Sequence, residues 1–231
     1  MRATVAVIPA RGKSKGIPRK NLIDICGKPL IAWSILQAQH ASEIDSVWVS
    51  SDDDEILAVA ESYGAMPIRR PAEISSDQSS SESAWMHALD AIEGQGVDAD
   101  LVVAMQATSP IRESSDLDGG VQTFRKQSYD SLLSVTEVQD FFTWHVGDDG
   151  CAESLNYDYH NRKRRQEIKK CYLENGSFYI FQPQQLRLAN NRLGGRIGMY
   201  LMGRHKMFQI DSPEDIKLCA SIMRGYGMEK S

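Results

Sequence analysis

The chain has 231 residues, of which 42% are hydrophobic and 25% are charged, and its formal net charge is −5. This length suits one sizeable folded domain. The acidic balance argues against bulk nucleic-acid binding, and no apolar run approaches the roughly 20 residues that cross a membrane.

The cysteines and the N-terminal residues bear on the cellular compartment. Cys26, Cys151, Cys171 and Cys219 are far apart and show no C-x-x-C spacing, a pattern typical of reduced structural thiols. Arg2 is followed by only a short apolar run and then by cations, unlike a signal peptide. We therefore expect a cytoplasmic protein with no membrane partner.

The first predicted element is a strand over residues 4–8, TVAVI, which lacks polar alternation and is therefore expected to be buried on both faces. It leads into a basic segment at residues 9–21. A positive loop after the first strand is where α/β folds bind phosphorylated ligands. The segment contains neither G-x-G-x-x-G nor G-x-x-x-x-G-K-[ST], so cationic side chains would have to hold the phosphates.

Strand and helix patterns then alternate. Strands are predicted at residues 47–49, 66–70, 101–105 and 131–138, and helices at 27–36, 56–60, 79–93 and 117–126. Strands separated by helices of this length imply right-handed crossovers. The predicted fold class is therefore α/β, with three layers around a mostly parallel, Rossmann-like sheet.

The pattern breaks at about residues 141–170, hereafter the excursion. Its aromatic residues, a turn pattern at 147–150 and a basic cluster at 162–165 predict a hairpin that leaves the main body. Strand character returns at 177–181 and 207–210. Ser212 is the predicted N-cap of the last helix, with Pro213 in its first turn and Asp215 completing a capping box.

Several predicted strands end in polar residues, at 11–21, 50–52, 106–109 and Asp211. In an open parallel sheet these ends share one edge, where the ligand crevice lies. Cations with one or two carboxylates suit a nucleoside triphosphate with Mg²⁺. The acidic run 52–55 could also hold a metal, but the start of a helix is the favoured interpretation.

The segment ARGKSKGIPRKN at residues 10–21 resembles the signature loop of the acylneuraminate cytidylyltransferases, the CMP-sialic acid synthetases. The similarity continues in order through VSSD (49–52), RPAE (70–73), QATSPIR (106–112), RQ (165–166), ENGSFY (174–179) and ID (210–211). The resemblance implies one nucleotidyltransferase domain over residues 1–231. It also implies that the excursion docks on a partner subunit, forming a homodimer whose active sites borrow residues across the interface.

The resemblance further implies Mg²⁺-dependent transfer of CMP from CTP to a nonulosonic acid, a sialic-type 2-keto-3-deoxy sugar acid, with release of pyrophosphate. The implied catalytic residues are Arg11, Lys20 and Asp211, with Asp211 also binding the metal. The implied nucleotide-binding residues are Ala10, Arg11, Gly12, Lys15, Asn21, Ser79 and Ser80. The implied sugar-acid-binding residues are Gln106, Thr108, Ser109 and Arg165.

Some positions depart from the family pattern. Many members carry two aspartates before the last helix, where this chain has Gln209 and Asp211, so one metal ligand is missing. Leu173 and Glu174 replace the arginine and proline of many bacterial sialate synthetases, and Ala107 replaces the usual proline. The acceptor therefore stays open among N-acylneuraminate, deaminated neuraminate, legionaminate, pseudaminate and an eight-carbon keto-sugar acid.

Two other classes of function are compatible with parts of the sequence to different degrees. A nucleotide-sugar-binding protein without turnover is an alternative because Gln209 occupies the first acidic position of the family. A dinucleotide-dependent dehydrogenase is disfavoured because the glycine fingerprint is missing.

Overall fold

The computed structural model describes residues 3–14, 16–76, 78–139 and 141–230. Its strands are β1 (Ala3–Pro9), β2 (Asp24–Ile25), β3 (Lys28–Pro29), β4 (Ser46–Ser51), β5 (Met66–Arg69), β6 (Ala99–Met105), β7 (Ser131–Val138), β8 (Trp144–Val146), β9 (Ala152–Ser154), β10 (Cys171–Phe181) and β11 (Ile197–Met202). Its α-helices are α1 (Leu30–Gln39), α2 (Asp54–Ser62), α3 (Ser81–Gly94), α4 (Ser114–Gln127), α5 (Pro183–Ala189) and α6 (Pro213–Gly225).

A seven-stranded sheet has the order β11-β7-β10-β6-β1-β4-β5. Strand β10 is antiparallel to both of its neighbours, β6 and β7, and the other pairings are parallel. The carboxyl ends of β1, β4, β5 and β6 therefore lie along one edge. The predicted α/β class with a mostly parallel sheet is confirmed.

The sheet is covered by helices on both faces, which makes the three predicted layers. Ala6 and Ile8 of β1 pack with α1, α2 and α4, whereas Val5 and Val7 pack with α3 and α5. All four side chains are fully buried, and full burial of a valine or isoleucine contributes about 1.5–3 kcal/mol. Strand β1 lacks polar alternation because helices cover both of its faces.

A third apolar cluster lies beside α6 and fixes the two segments that carry the predicted site. Ile17 of the basic segment and Ile210, just before α6, pack with Trp33, Cys219 and Met223. These contacts join the loop after β1 to the start of the last helix. Two segments about 190 positions apart in the sequence are therefore held side by side.

Most predicted elements are confirmed, with small shifts at their ends. Helix α3 begins at Ser81 with Ser80 as its N-cap, and α1 begins after Pro29. The capping box of Ser212 and Asp215 is present at the start of α6. The excursion contains the predicted hairpin, in which β8 pairs with β9.

The strand predicted at residues 207–210 is wrong. Met207 ends a short 3-10 helix (Arg204–Met207), and the residues that follow are irregular. Phe208 and Ile210 are apolar because they pack against the α6 cluster. The edge strand β11 was not predicted, because Ile197, Met199 and Leu201 on its exposed face are apolar and give no polar alternation. Helix α5 was also missed.

Two predictions concern membranes and thiols. No helix within the described ranges combines the length and apolar character needed to cross a membrane. The four cysteines are all free thiols, and Cys219 is buried in the α6 cluster.

Candidate active site

A cleft of about 550 Å³ opens where the sequence places the ends of the strands. Residues after β1, β5 and β6 line it, together with the start of α3 and the residue two positions before α6. The predicted residues that line it are Ala10, Arg11, Lys20, Asn21, Ser79, Ser80, Gln106, Thr108 and Asp211. Arg11, Lys20, Asn21, Gln106, Thr108 and Asp211 belong to the segments predicted at this edge of the sheet, whereas Ala10, Ser79 and Ser80 were implied by the family resemblance. Residues 50–52, also predicted at this edge, are not among those that line the cleft.

The other predicted site residues either do not line the cleft or lie outside the described residues. Gly12 contributes to the base of the loop through its backbone, and Ser109 is buried with its hydroxyl donating to the Gly176 carbonyl oxygen at 3.3 Å. Lys15 lies outside the described residues, as does the side chain of Arg165.

The basic loop is held by specific contacts on both sides. The Gly12 amide donates to Asp52 Oδ1 at 3.0 Å, and Asn21 Nδ2 donates to the Arg11 carbonyl oxygen at 3.0 Å. A Cβ atom on Gly16 would lie 2.5 Å from the carbonyl oxygen of Asp211. Only glycine permits this approach, so the loop passes directly against the backbone that carries Asp211.

Residues 53–55 of the acidic run 52–55 cap helix α2 or form ion pairs. Asp53 caps α2 by accepting from the amides of Glu55 and Ile56, and Asp54 pairs with Arg69 at 2.7 Å. Glu55 pairs with Arg19 of the basic loop. The interpretation of this run as the start of a helix is confirmed.

Arg70 is a cleft residue to which the sequence analysis assigned no role. Its side chain is only 5% exposed, its Nε donates to Ser75 Oγ at 3.0 Å, and its terminal nitrogen lies 3.8 Å from Asp52 Oδ1. Burial lowers the pKa of Arg70, the Asp52 carboxylate opposes that change, and Arg11 adds to the lowering by repulsion. Arg11 and Arg70 therefore concentrate positive charge on one side of the cleft. The rule that located the other residues, a polar residue after a strand, applies equally to Arg70 after β5.

The amino end of α3 faces the same cleft. Ser80 accepts from the Ser83 amide as the N-cap, and Ser80, Ser81 and Ala84 all line the cleft. The first amides of a helix and the positive end of its dipole favour anionic or acceptor groups. The cleft therefore has cations on the side of the loop and helix amides on the side of α3.

Lys20 and Asp211 form an ion pair within the cleft. Lys20 Nζ donates to Asp211 Oδ1 at 2.9 Å and to the Ile210 carbonyl oxygen, also at 2.9 Å. The lysine side chain is 15% exposed, whereas the aspartate side chain is 71% exposed. The carboxylate thus remains open to the cleft on its other side.

Two amide side chains flank Gly176 beside this ion pair. Gly176 has a φ of +63°, and a Cβ atom there would lie 2.5 Å from Gln209 Nε2 and 3.1 Å from Gln106 Oε1. Gln209 Nε2 donates to the Asn175 carbonyl oxygen at 2.8 Å. Gln209 is therefore engaged with the backbone through a donor group that an aspartate could not supply.

The cleft offers few ligands for a divalent metal. Asp211 is the acidic residue among those lining the cleft, and the described part of the chain contains no group of three His, Cys, Asp or Glu suited to a metal ion. Mg²⁺ is commonly held by one or two carboxylates together with substrate phosphates. The cleft thus fits a Mg²⁺ ion that shares its ligands with a phosphorylated substrate.

A polar cluster continues from α3 onto β10. The Tyr179 hydroxyl donates to Glu174 Oε1 at 2.5 Å, and the Arg192 guanidinium lies 4.4 Å from the centre of the Tyr179 ring. Arg192 also pairs with Glu82 in the first turn of α3 at 2.6 Å. Burial, and then the bond to Glu174, raises the pKa of Tyr179 to about 12.

Comparisons with known proteins agree with this geometry. The profile of the family described as "Cytidylyltransferase" matches residues 5–226. The chain is 38% identical over 208 residues to N-acylneuraminate cytidylyltransferase A of Danio rerio, covering 89% of this chain and 47% of that protein. It is 32% identical over 218 residues to the pseudaminic acid cytidylyltransferase of Campylobacter jejuni subsp. jejuni serotype O:23/36 (strain 81-176), covering 92% and 93%.

A solved structure supports the fold. The structure of CMP:2-keto-3-deoxy-manno-octonic acid synthetase complexed with CTP superposes with a TM-score of 0.72 at 17% identity, covering 97% of this chain and 99% of that one. The chain spans about half the length of its Oncorhynchus mykiss and Danio rerio relatives.

Proposed function

We propose that this chain, which belongs to the cytidylyltransferase family, transfers CMP from CTP to a nonulosonic acid and releases pyrophosphate. The observation that carries the proposal is the cleft that gathers Arg11, Lys20 and Asp211 opposite the amino end of α3. A triphosphate needs cationic side chains here because the loop has no phosphate-binding glycine fingerprint.

At the nucleotide end, the residues divide by charge and by hydrogen bonding. Arg11, Lys20 and the buried Arg70 line the cleft and are proposed to neutralise the triphosphate. Ser79 and Ser80 line it too and are proposed to contact the nucleoside. Negative charge grows on the pyrophosphate as it leaves, and fixed cations stabilise such charge most when water is largely excluded. Arg11 is proposed to act chiefly at this step.

At the acceptor end, the anomeric hydroxyl oxygen of the sugar acid attacks the α-phosphorus. A phosphorus–oxygen bond to the sugar forms, the bond from the α-phosphorus to the bridging oxygen of the pyrophosphate breaks, and the hydroxyl proton is released to water. Gln106 and Thr108 line the cleft beside Asp211 and are proposed to position the acid. Ser109 is proposed to support this wall from inside, and Arg165 remains an expected contact.

Asp211 is the proposed protein ligand of Mg²⁺. Its carboxylate is exposed to the cleft, and phosphate oxygens would complete the coordination. When bound, Mg²⁺ would offset charge on the phosphates that cations alone do not neutralise.

The excursion is the proposed homodimer interface. Its two-stranded hairpin lies outside the seven-stranded sheet, and such hairpins are marginally stable alone. Phe141, Trp144 and Val146 are exposed, and Tyr172 and Leu173 line a second cavity of about 550 Å³. A second subunit would cover these apolar groups. The free thiols support the proposed cytoplasmic location.

The acceptor is proposed to be a nine-carbon acid because the relatives are named for N-acylneuraminate and pseudaminic acid. Pyrophosphate release should be measured with CTP and Mg²⁺ against N-acetylneuraminate, deaminated neuraminate, legionaminate, pseudaminate and the eight-carbon acid in parallel. Turnover with one acid, lost in Asp211→Asn, would support the proposal and identify the acceptor. CTP binding without turnover on any acid would favour the nucleotide-sugar-binding alternative that Gln209 suggests.

A further inference from the structure

We infer that Lys20 is the counter-ion of Asp211 in the nucleotide-free protein. The Asp211 carboxylate becomes available to a divalent cation only when a nucleoside triphosphate draws the Lys20 ammonium away. This inference rests on the proposed function, because the triphosphate is the anion that competes for Lys20. It deepens that function by coupling metal binding to nucleotide binding at one residue.

The geometry places a cation on Asp211 already. Lys20 Nζ contacts an oxygen of the Asp211 carboxylate and the carbonyl oxygen of Ile210, each at 2.9 Å. The lysine side chain is mostly buried, so its position is fixed better than that of an exposed surface lysine. A divalent cation on the free carboxylate oxygen would lie within a few ångströms of the ammonium and be repelled by it.

Neighbouring groups offer little compensation for this repulsion. Asp215 is near in sequence, but its Oδ2 accepts from the amides of Asp211 and Ser212 and from the Ser212 hydroxyl at 2.7–3.0 Å. These bonds hold the pKa of Asp215 below its usual range and commit it to the helix cap. Gln209 is a neutral amide whose nitrogen is bonded to the Asn175 carbonyl oxygen.

This arrangement implies that the nucleotide binds before the divalent cation does. The free protein presents one carboxylate whose charge Lys20 already balances, so a divalent cation gains little by binding alone. A triphosphate brings several negative charges, which attract Lys20 and supply oxygen ligands for the metal. Lys20 then serves two anions in turn, first Asp211 and then the nucleotide.

The test is a titration of nucleotide-free protein with Mn²⁺, followed by the electron paramagnetic resonance signal of unbound Mn²⁺. Lys20→Met and Lys20→Gln should each bind Mn²⁺ about fivefold more tightly than the wild type, as removal of a partly exposed ion-pair partner implies. Lys20→Gln retains a donor for the Ile210 carbonyl oxygen, so it guards against a folding defect in Lys20→Met. Lys20→Arg keeps the charge and should bind Mn²⁺ as weakly as the wild type.

A double variant tests whether Asp211 is the residue that binds Mn²⁺. The increase in Mn²⁺ affinity should disappear when Asp211→Asn is added to Lys20→Gln. Equal Mn²⁺ affinity in the wild type and in both neutral Lys20 variants would overturn the inference, and so would a gain that survives Asp211→Asn.

Calorimetric titration of the wild type with CTP separates the two proposals. CTP binding without a Mn²⁺ gain in the neutral variants would refute the ion-pair coupling alone. A Mn²⁺ gain without CTP binding would refute the proposed nucleotide function and the exchange that depends on it.

Discussion

The cleft and the excursion are built in opposite ways. The loop that forms the cleft is fixed by contacts to Asp52 and Asp211, which precede α2 and α6, and the strands beneath it are buried on both faces. In the excursion, no residue of β8 or β9 is fully buried. The core of the chain therefore holds the cleft in place, whereas the excursion has apolar side chains that remain exposed.

The excursion is nevertheless stabilised locally, by contacts between aromatic rings and by a cation–π contact. Phe142 and Tyr157 have ring centres 4.1 Å apart, Trp144 lies 5.7 Å from Tyr157, and the Arg162 guanidinium lies 4.7 Å from the Phe142 ring. Such contacts are worth about 0.5–1.5 kcal/mol each beyond area burial. Because the two regions are held together differently, we expect separate substitutions to affect turnover and oligomerisation.

The largest effect is expected from Asp211→Asn. This change removes the carboxylate charge while keeping the side-chain volume, and turnover should fall by about a hundredfold to a thousandfold, the range for loss of one group that stabilises the transition state. Pyrophosphate release is the measurement, and the oligomeric state should not change. Glu214→Gln, three positions further along, is the matched control. Retention of wild-type turnover in Asp211→Asn would remove Asp211 from the chemistry.

Arg11→Ala is expected to lower kcat by about a hundredfold and to change CTP affinity much less. The reason is that Arg11 is proposed to stabilise charge that builds up as pyrophosphate leaves. Steady-state rates and calorimetric CTP binding measure the two quantities. Lys13→Ala is the control, because Lys13 is exposed on the same loop and does not line the cleft. An equal loss in affinity and in kcat would indicate ground-state binding instead.

Leu173→Asp should weaken the proposed homodimer by about tenfold or more, because it puts a charge on the apolar surface of β10 that lines the second cavity together with the excursion. Sedimentation equilibrium gives the dissociation constant, and CTP affinity should change little. Leu188→Asp is the control, since Leu188 is 79% exposed on α5. If Leu173→Asp left the dimer intact while Leu188→Asp weakened it, the interface would lie elsewhere.

The smallest effect is expected from Gln209→Asp. A second carboxylate near Asp211 should lower the apparent Mg²⁺ constant by about fivefold, equivalent to about 1 kcal/mol for a solvent-exposed charge. The rate as a function of Mg²⁺ concentration is the measurement, with Gln209→Asn as the neutral control. An unchanged Mg²⁺ dependence would mean that residue 209 is too far from the metal, or that its lost bond to Asn175 offsets the gain.

Much of the cleft was predictable because polar residues after buried strands converge in any mostly parallel sheet. Arg11 and Gln106 follow β1 and β6 and were predicted in this way. Asp211 also lines the cleft, but it follows an irregular segment and not the strand predicted at 207–210. The cap of α6 followed from its local motif. Arg70 met the same criterion but was given no role. The predicted strand at 207–210 failed because apolar residues in an irregular segment pack on α6 and mimic a strand pattern.

The α/β class, the edge of the sheet that carries the cleft and the excursion could all be predicted from the sequence. These depend on local apolar periodicity and on the handedness of crossovers. The pairing of charges, such as Lys20 with Asp211 and Arg70 with Asp52, could be read from the folded chain alone. Ion pairs between residues about 20 to 190 positions apart leave no periodic trace in a sequence, because they depend on packing of the whole core.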